Sequence, residues 1–198
     1  MTDINDVSGG QNAAEIRHRM ANTLQLLGAL ARMRSQRASE PDTRRQLLWI
    51  ADAIGSVGTL EKRRRGDAVD FAGFLAEMAP VWRRRHASQL TDVVVQAEAL
   101  MLPEHAASTL GLIAQELIGN ALTHGYQDGR SGKVMVRLSR RPDGCCELCV
   151  SDDGQGFDPA AGRERFGLWL VRSLAVQVRG EFTLTASPGV TASLTFPL

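Results

Sequence analysis

A chain of 198 residues has room for one good-sized domain and a smaller helical element. With 43% hydrophobic and 23% charged residues it lies far from the regime of disorder. No stretch reaches the roughly 20 apolar residues that cross a bilayer, and the polar start MTDINDVSGGQN is unlike a secretory signal; a folded, cytoplasmic protein with no membrane span is expected.

The net charge of +1 hides an asymmetry. Eleven basic and 7 acidic residues precede Gly66, and 12 basic and 15 acidic follow it, which leaves +4 and −3. Because aromatics are only 5% of the chain, the runs Arg63–Arg65 and Arg83–Arg85 read as solvated helix faces and not as a nucleic-acid surface.

Ile16, Met20, Leu24, Leu27 and Ala31 recur at spacings of three and four, which predicts an amphipathic helix from about Gln11 to Arg37. After a Ser39-Glu40-Pro41-Asp42 break, Leu47, Ile50, Ala51, Ile54, Val57 and Leu60 repeat the pattern from about Thr43 to Lys62. The connection is short enough to make the two helices antiparallel. Such a hairpin leaves much of its apolar stripe uncovered, which predicts a homodimer joined through a four-helix bundle.

Arg63 to Ala68 reads as a charged, Gly-containing hinge, giving an expected division into residues 1–66 and 67–198. Beyond it Asp70 to Arg85 is helical, Val93 to Met101 strand-like, and Pro103 opens a long helix to about His124. Lys133 to Arg140 and Cys145 to Ser151 form a hairpin about Arg141-Pro142-Asp143-Gly144. Phe166 to Val178 is helical, and Glu181 to Ala186 and Thr191 to Phe196 are strands about Pro188-Gly189. Cys145, Cys146 and Cys149 fall in a strand, where residues three apart face opposite sides, so their C-x-x-C reads as reduced packing residues. The fold class is α+β: a helical hairpin followed by an α/β sandwich with helices on one face of a mixed or antiparallel sheet.

Four places carry chemistry. With Ile16 taken as the centre of the buried stripe, His18 lies about 200° away and faces water, stacked with Glu15 and Asn22 at i−3 and i+4. An imidazole held in one tautomer by a carboxylate can attack phosphorus; a surface histidine is the plainer reading. In Gln115 to His124, Glu116, Asn120 and Thr123 form a polar strip that suits Mg²⁺ and phosphate, or simply a polar helix edge. Asp152-Asp153-Gly154-Gln155-Gly156-Phe157 ends a strand; its glycines allow close approach of a ligand and its carboxylate can accept a hydrogen bond from an adenine amine, although a plain turn has the same composition. Phe166-Gly167-Leu168-Trp169 puts a glycine at a helix start, where free N–H groups favour an anion.

Together these motifs resemble a two-component sensor histidine kinase of the HWE and HisKA_2 type, from about Ala14 to Leu198. Glu15 to Gln25 is similar to the phosphoacceptor box, which implies that His18 is phosphorylated, with Glu15 a candidate base because Arg19 stands where many such kinases have an acid. Gln115 to His124 is similar to the N box, which implies that Glu116 organises catalysis, Asn120 holds Mg²⁺ and His124 lies at the nucleotide. Asp152, Gly154 and Gly156 match the first glycine box, with Asp152 reading adenine, and Gly167 with Leu168 matches part of the second. The resemblance implies a Bergerat-type ATP-binding domain with a lid near Pro159 to Arg165. It also implies transfer of the γ-phosphoryl group of ATP to His18 and then to a response-regulator receiver domain. Gln115, Thr123 and Arg165 depart from the usual Asn, Lys and Gly, which leaves open a relay phosphotransferase with a degenerate ATP site. No sensor domain is recognisable in the 14 or so residues before the box, so input would come from a separate sensor protein, or the chain is a piece of a longer one.

Overall fold

The computed structural model describes residues 5–86, 91–126, 130–156, 166–186 and 188–198; side chains are described from Glu15 onward, apart from those of residues 17, 18, 85 and 86. The chain separates into two compact units, Met1–Lys62 and Arg63–Leu198.

The first unit is a hairpin of α1 (Asn5–Arg37) and α2 (Pro41–Lys62). Proline fits the first position of α2, where its missing N–H would have no helical partner anyway. The helices run antiparallel: Gly28 lies against Ala51 and Ile54, while Ala21 and Thr59 line the same groove further along. They approach along small residues, since a Cβ on Gly28 would already touch the Ala51 carbonyl at 3.5 Å. Arg32 reaches across to the Ala51 carbonyl (3.5 Å) and to Asp52 (3.7 Å), whose carboxylate is buried and needs a partner there. Much of the α1 stripe is uncovered in the single chain, as a lone hairpin requires. Ile16 is 59% exposed and Leu27 47%, whereas Gly28 and Ser35 are buried. Small side chains let two backbones close on each other, and the larger ones are left on the open side.

In the second unit the expected hinge is a strand pair. β1 (Arg64–Arg65) and β2 (Ala68–Asp70) are antiparallel about a turn in which Gly66 has φ 62°, the left-handed region that glycine adopts most readily. β2 pairs in turn with β4 (Met101–Pro103). The single strand expected over Val93 to Met101 is therefore two, because β3 (Thr91–Ala97) belongs to the larger sheet. Both Leu100 and Leu102 are buried, so the chain turns inward between the sheets. Arg63 binds Glu77 (2.9 Å) and Asp70 (3.7 Å), and Arg64 binds Glu104, which fixes this stretch to the helices that follow.

α3 (Phe71–His86) begins where Asp70 accepts the Gly73 N–H at 2.9 Å, an N-terminal cap. Its Phe71, Phe74 and Trp82 are fully buried; Phe71 stacks on Phe74 at 5.4 Å and Phe74 meets Trp82 edge-on at 6.1 Å. Phe74→Ala should lower the unfolding free energy by about 3–5 kcal/mol. Chemical denaturation measures this, and a loss under 1 kcal/mol would show that the cluster does not hold the domain.

α4 (Glu104–His124) follows Pro103, and α5 (Phe166–Gln177) precedes the last hairpin. The larger sheet has the order β3, β5 (Gly132–Arg140), β6 (Cys146–Asp152), β8 (Val190–Phe196), β7 (Glu181–Thr185). Among the described residues only β3 and β5 are parallel. Alternate residues Val134, Val136 and Leu138, then Leu148 and Val150, then Ala192, Leu194 and Phe196 are buried on one face, beneath α4 residues such as Leu110, Ile113 and Ile118. The expected helices on one face of a mixed sheet are present. Cys146 is buried and Cys149 half-buried, three residues apart on the two faces of β6. Among the described residues no helix is long and apolar enough to cross a membrane.

Candidate active site

α4 supplies the spine of the site. Glu116, Asn120 and His124 follow at intervals of four and so share one helix face, about 100° per residue apart along the chain. Asn120 donates its amide N–H to the Glu116 carboxylate at 2.9 Å. Gly167, at the start of α5, lies against this pair: a Cβ there would run into the Glu116 carboxylate and stand 3.4 Å from Asn120 Nδ2. The glycine-led helix and the polar strip therefore meet, and Leu168 follows half-buried in the same turn of α5. Gln115 is buried in the packed face of α4 and Thr123 is exposed, so neither shares the half-buried position of Glu116 and Asn120.

The other end of the face meets the end of β6. Asp152 is half-buried and accepts the Gly154 N–H at 2.9 Å. Burial holds its carboxyl above the usual carboxylate range, against the hydrogen bonds of Gly154 and Val190, which lower it. Gly154 abuts the end of α4, where a Cβ would come within 2.5 Å of the Gly125 carbonyl and 2.7 Å of its Cα. Gln155 closes the joint, its backbone N–H donating to the Gly125 carbonyl (3.0 Å) and its side-chain amide to the His124 carbonyl (3.1 Å). Gly156, with φ 68°, lies against Gly189 of the last hairpin. Between Glu116 and Gly125 the helix advances about 13 Å, an extended run bordered by glycine backbone at both ends.

On α1, Glu15 is exposed and accepts a 2.6 Å hydrogen bond from Arg19, so its carboxylate already has a partner. His18 belongs to α1, but its side chain lies outside the described residues, as do the expected lid at Pro159 to Arg165 and Phe157. Three site residues went unread in the sequence: Gly125, Tyr126 and Gly189. The His124-Gly125-Tyr126 run just past the polar strip, and a second glycine-bearing turn near the first, were the available signals.

Two family models match the chain: histidine kinase-like ATPase domain over residues 82–193, and histidine kinase (HisKA_2) over residues 15–83. Blue-light-activated histidine kinase 2 of Erythrobacter litoralis is 28% identical over 93% of this chain and 56% of its own. Sensor histidine kinase PdtaS of Mycobacterium tuberculosis is 25% identical over 85% of this chain and 35% of its own. The chain thus spans about half the length of the first relative and a third of the second. The solved histidine kinase domain of the Erythrobacter litoralis EL346 protein superposes with a TM-score of 0.72 at 20% identity, covering 91% of this chain and 94% of that one, a likeness of fold. A domain of this class binds ATP, and the residues fit a nucleotide: the backbone at Gly125, Gly154 and Gly167 packs so closely that any Cβ would strike a neighbour, which holds a half-buried carboxylate and a Glu–Asn pair along one helix. The chain belongs to the HisKA_2-type histidine kinases, and its larger unit is their histidine kinase-like ATPase domain.

Proposed function

We propose that the chain is an ATP-dependent histidine autokinase that phosphorylates His18 and passes the phosphoryl group to an aspartate of a response-regulator receiver domain. The observation that carries this reading is the convergence on α4: Glu116 and Asn120 closed against Gly167 at one end, Asp152 and Gly154 butted on Gly125 at the other. Bound ATP, with Mg²⁺, supplies the phosphoryl group and its leaving group. Asn120 turns its N–H toward Glu116, which leaves its carbonyl oxygen as a hard ligand of the kind Mg²⁺ takes. Glu116 fixes that orientation. Asp152, His124, Gly154 and Gly156 hold the base end, and Gly167 with Leu168 brings the N-terminus of α5 to the phosphate end, where its N–H groups favour negative charge. Positioning and charge neutralisation would account for most of the rate.

The exposed Ile16, Met20, Leu27 and Leu30 of α1 support a homodimer in which a second hairpin covers them. Glu15, held by Arg19, would have to release that partner to act on His18.

Incubation of the pure protein with γ-labelled ATP and Mg²⁺ tests the reading: acid-labile label should appear on the protein and move to a cognate receiver domain. Nucleotide binding with no label would favour the phosphate relay.

A pH dependence follows from Asp152. Its ionised form accepts the adenine amine, and burial raises its proton affinity, so protonation sets in at higher pH than for an ordinary aspartate. ADP affinity should therefore fall on acidification while ordinary carboxylates are still ionised, and Asp152→Asn should flatten the profile. Equal slopes for wild type and variant by calorimetry would remove Asp152 from the base site.

A further inference from the structure

Tyr126 stands just beyond α4 and 7% exposed, with its ring over Gly132, where any Cβ would strike the ring. Its hydroxyl lies 2.7 Å from Asp153 Oδ1 and 2.8 Å from the Lys133 carbonyl. The phenol has one proton to give, and the charged carboxylate is the stronger acceptor. The same Oδ1 accepts the Lys133 N–H at 2.8 Å, and Arg130 donates to the Asp153 carbonyl. Burial, then the neighbouring Asp153, keeps the Tyr126 phenol protonated far above the range in which tyrosines ionise. Partial burial alone would raise the Asp153 carboxyl, but the Lys133 amide and the Tyr126 hydroxyl outweigh it and hold it below the ordinary value.

We infer that Tyr126 and Asp153 are a positioning pair: their hydrogen bond sets the spacing between the end of α4 and the turn that carries Asp152, and so the fit of the nucleotide base. This rests on the nucleotide-binding reading above. Asp152 is bonded through the Gly154 N–H and to Val190 of β8, neither of them part of α4 or its extension, so its place relative to α4 depends on the residues beside it. Asp153 is tied to Tyr126, Gly154 is pressed on Gly125, and Gln155 is bonded to Gly125 and His124. Of these ties, only the one at Asp153 depends on a side chain of α4's extension. A packing role would need the ring of Tyr126; a positioning role needs its hydroxyl.

That difference makes Tyr126→Phe decisive in the full-length chain. Loss of one hydrogen bond to a charged group should raise the Kd for Mg²⁺–ADP and the KM for ATP about tenfold, with kcat within twofold of wild type. Asp153→Ala, at an exposed position, should do the same, and Asp153→Asn, which keeps an acceptor oxygen, should restore most of the affinity. A Kd for Tyr126→Phe within twofold of wild type, or a fall in kcat with KM unchanged, would overturn the pair. Were Tyr126→Phe not to fold, the contrast between Asp153→Ala and Asp153→Asn decides, with equal affinities overturning the inference. Wild type that binds no Mg²⁺–ADP would end the nucleotide reading and the pair with it; wild type that binds beside an unaffected Tyr126→Phe would end the pair alone.

Discussion

His18→Ala is expected to abolish acid-labile labelling from γ-labelled ATP, while the protein keeps its fold and its affinity for Mg²⁺–ADP. Acid lability is the mark of a phosphorylated imidazole, and the replaced group is the only one asked to form that bond. Asn120→Ala is expected to cut labelling by about a hundredfold or more, the scale seen when one preorganised polar group is removed from a reacting centre. The two losses should differ in kind. Asn120 lies in the ATP domain beside Glu116 and Gly167, so its loss should also weaken the Mg²⁺ dependence of nucleotide binding, whereas His18→Ala should leave binding untouched. Mass spectrometry and calorimetry on the same preparations check both. Label that survives His18→Ala would assign the phosphoacceptor elsewhere, and full activity in Asn120→Ala would remove the metal role.

Gly154→Ala and Gly167→Ala should separate fold from chemistry. At Gly154 the new Cβ would meet the Gly125 carbonyl at 2.5 Å and its Cα at 2.7 Å. Those atoms are backbone, pinned by the Gln155 bond to the same carbonyl, so the turn and the end of α4 must part. Nucleotide binding should fall at least a hundredfold, with a loss of stability of about 1–3 kcal/mol. At Gly167 the new Cβ meets the free end of the Glu116 side chain, which can swing aside. Stability should then change by less than about 0.5 kcal/mol, but Asn120 loses the partner that orients it, and labelling should drop roughly a hundredfold with ADP affinity nearly kept. Thermal melts, calorimetry and labelling distinguish the two. Wild-type binding in Gly154→Ala, or wild-type labelling in Gly167→Ala, would contradict the geometry of that joint.

Much of this was legible in the chain itself, wherever a local period carried the information. The three-and-four spacing gave both helices of the hairpin, and Arg141-Pro142-Asp143-Gly144 gave the turn between β5 and β6, in which Gly144 takes φ 86°. Glu116 and Asn120 were paired by spacing alone, because residues four apart on a helix are neighbours whatever surrounds them. Arg63 to Ala68 reads as a hinge because charge and glycine look the same in a loop and in a strand; Arg64 and Arg65 pair with Val69 and Ala68, and β2 is held in turn by Met101 to Pro103, over thirty residues away. The α1 stripe shows a similar limit. Periodicity locates an apolar face but not which part of it a neighbouring helix covers, and α2 chose the line of Gly28 and Arg32.

The sequence by itself determined the helices, the later strands and the residue types that chemistry requires, since these depend on neighbours within about one turn of helix or one strand. Only the tertiary structure decided that Gly167 lies on Glu116, that Gly154 lies on Gly125, and that Tyr126 reaches Asp153 across 27 positions of chain. Each is a contact between elements, fixed by how α4, α5 and the end of β6 pack over one core.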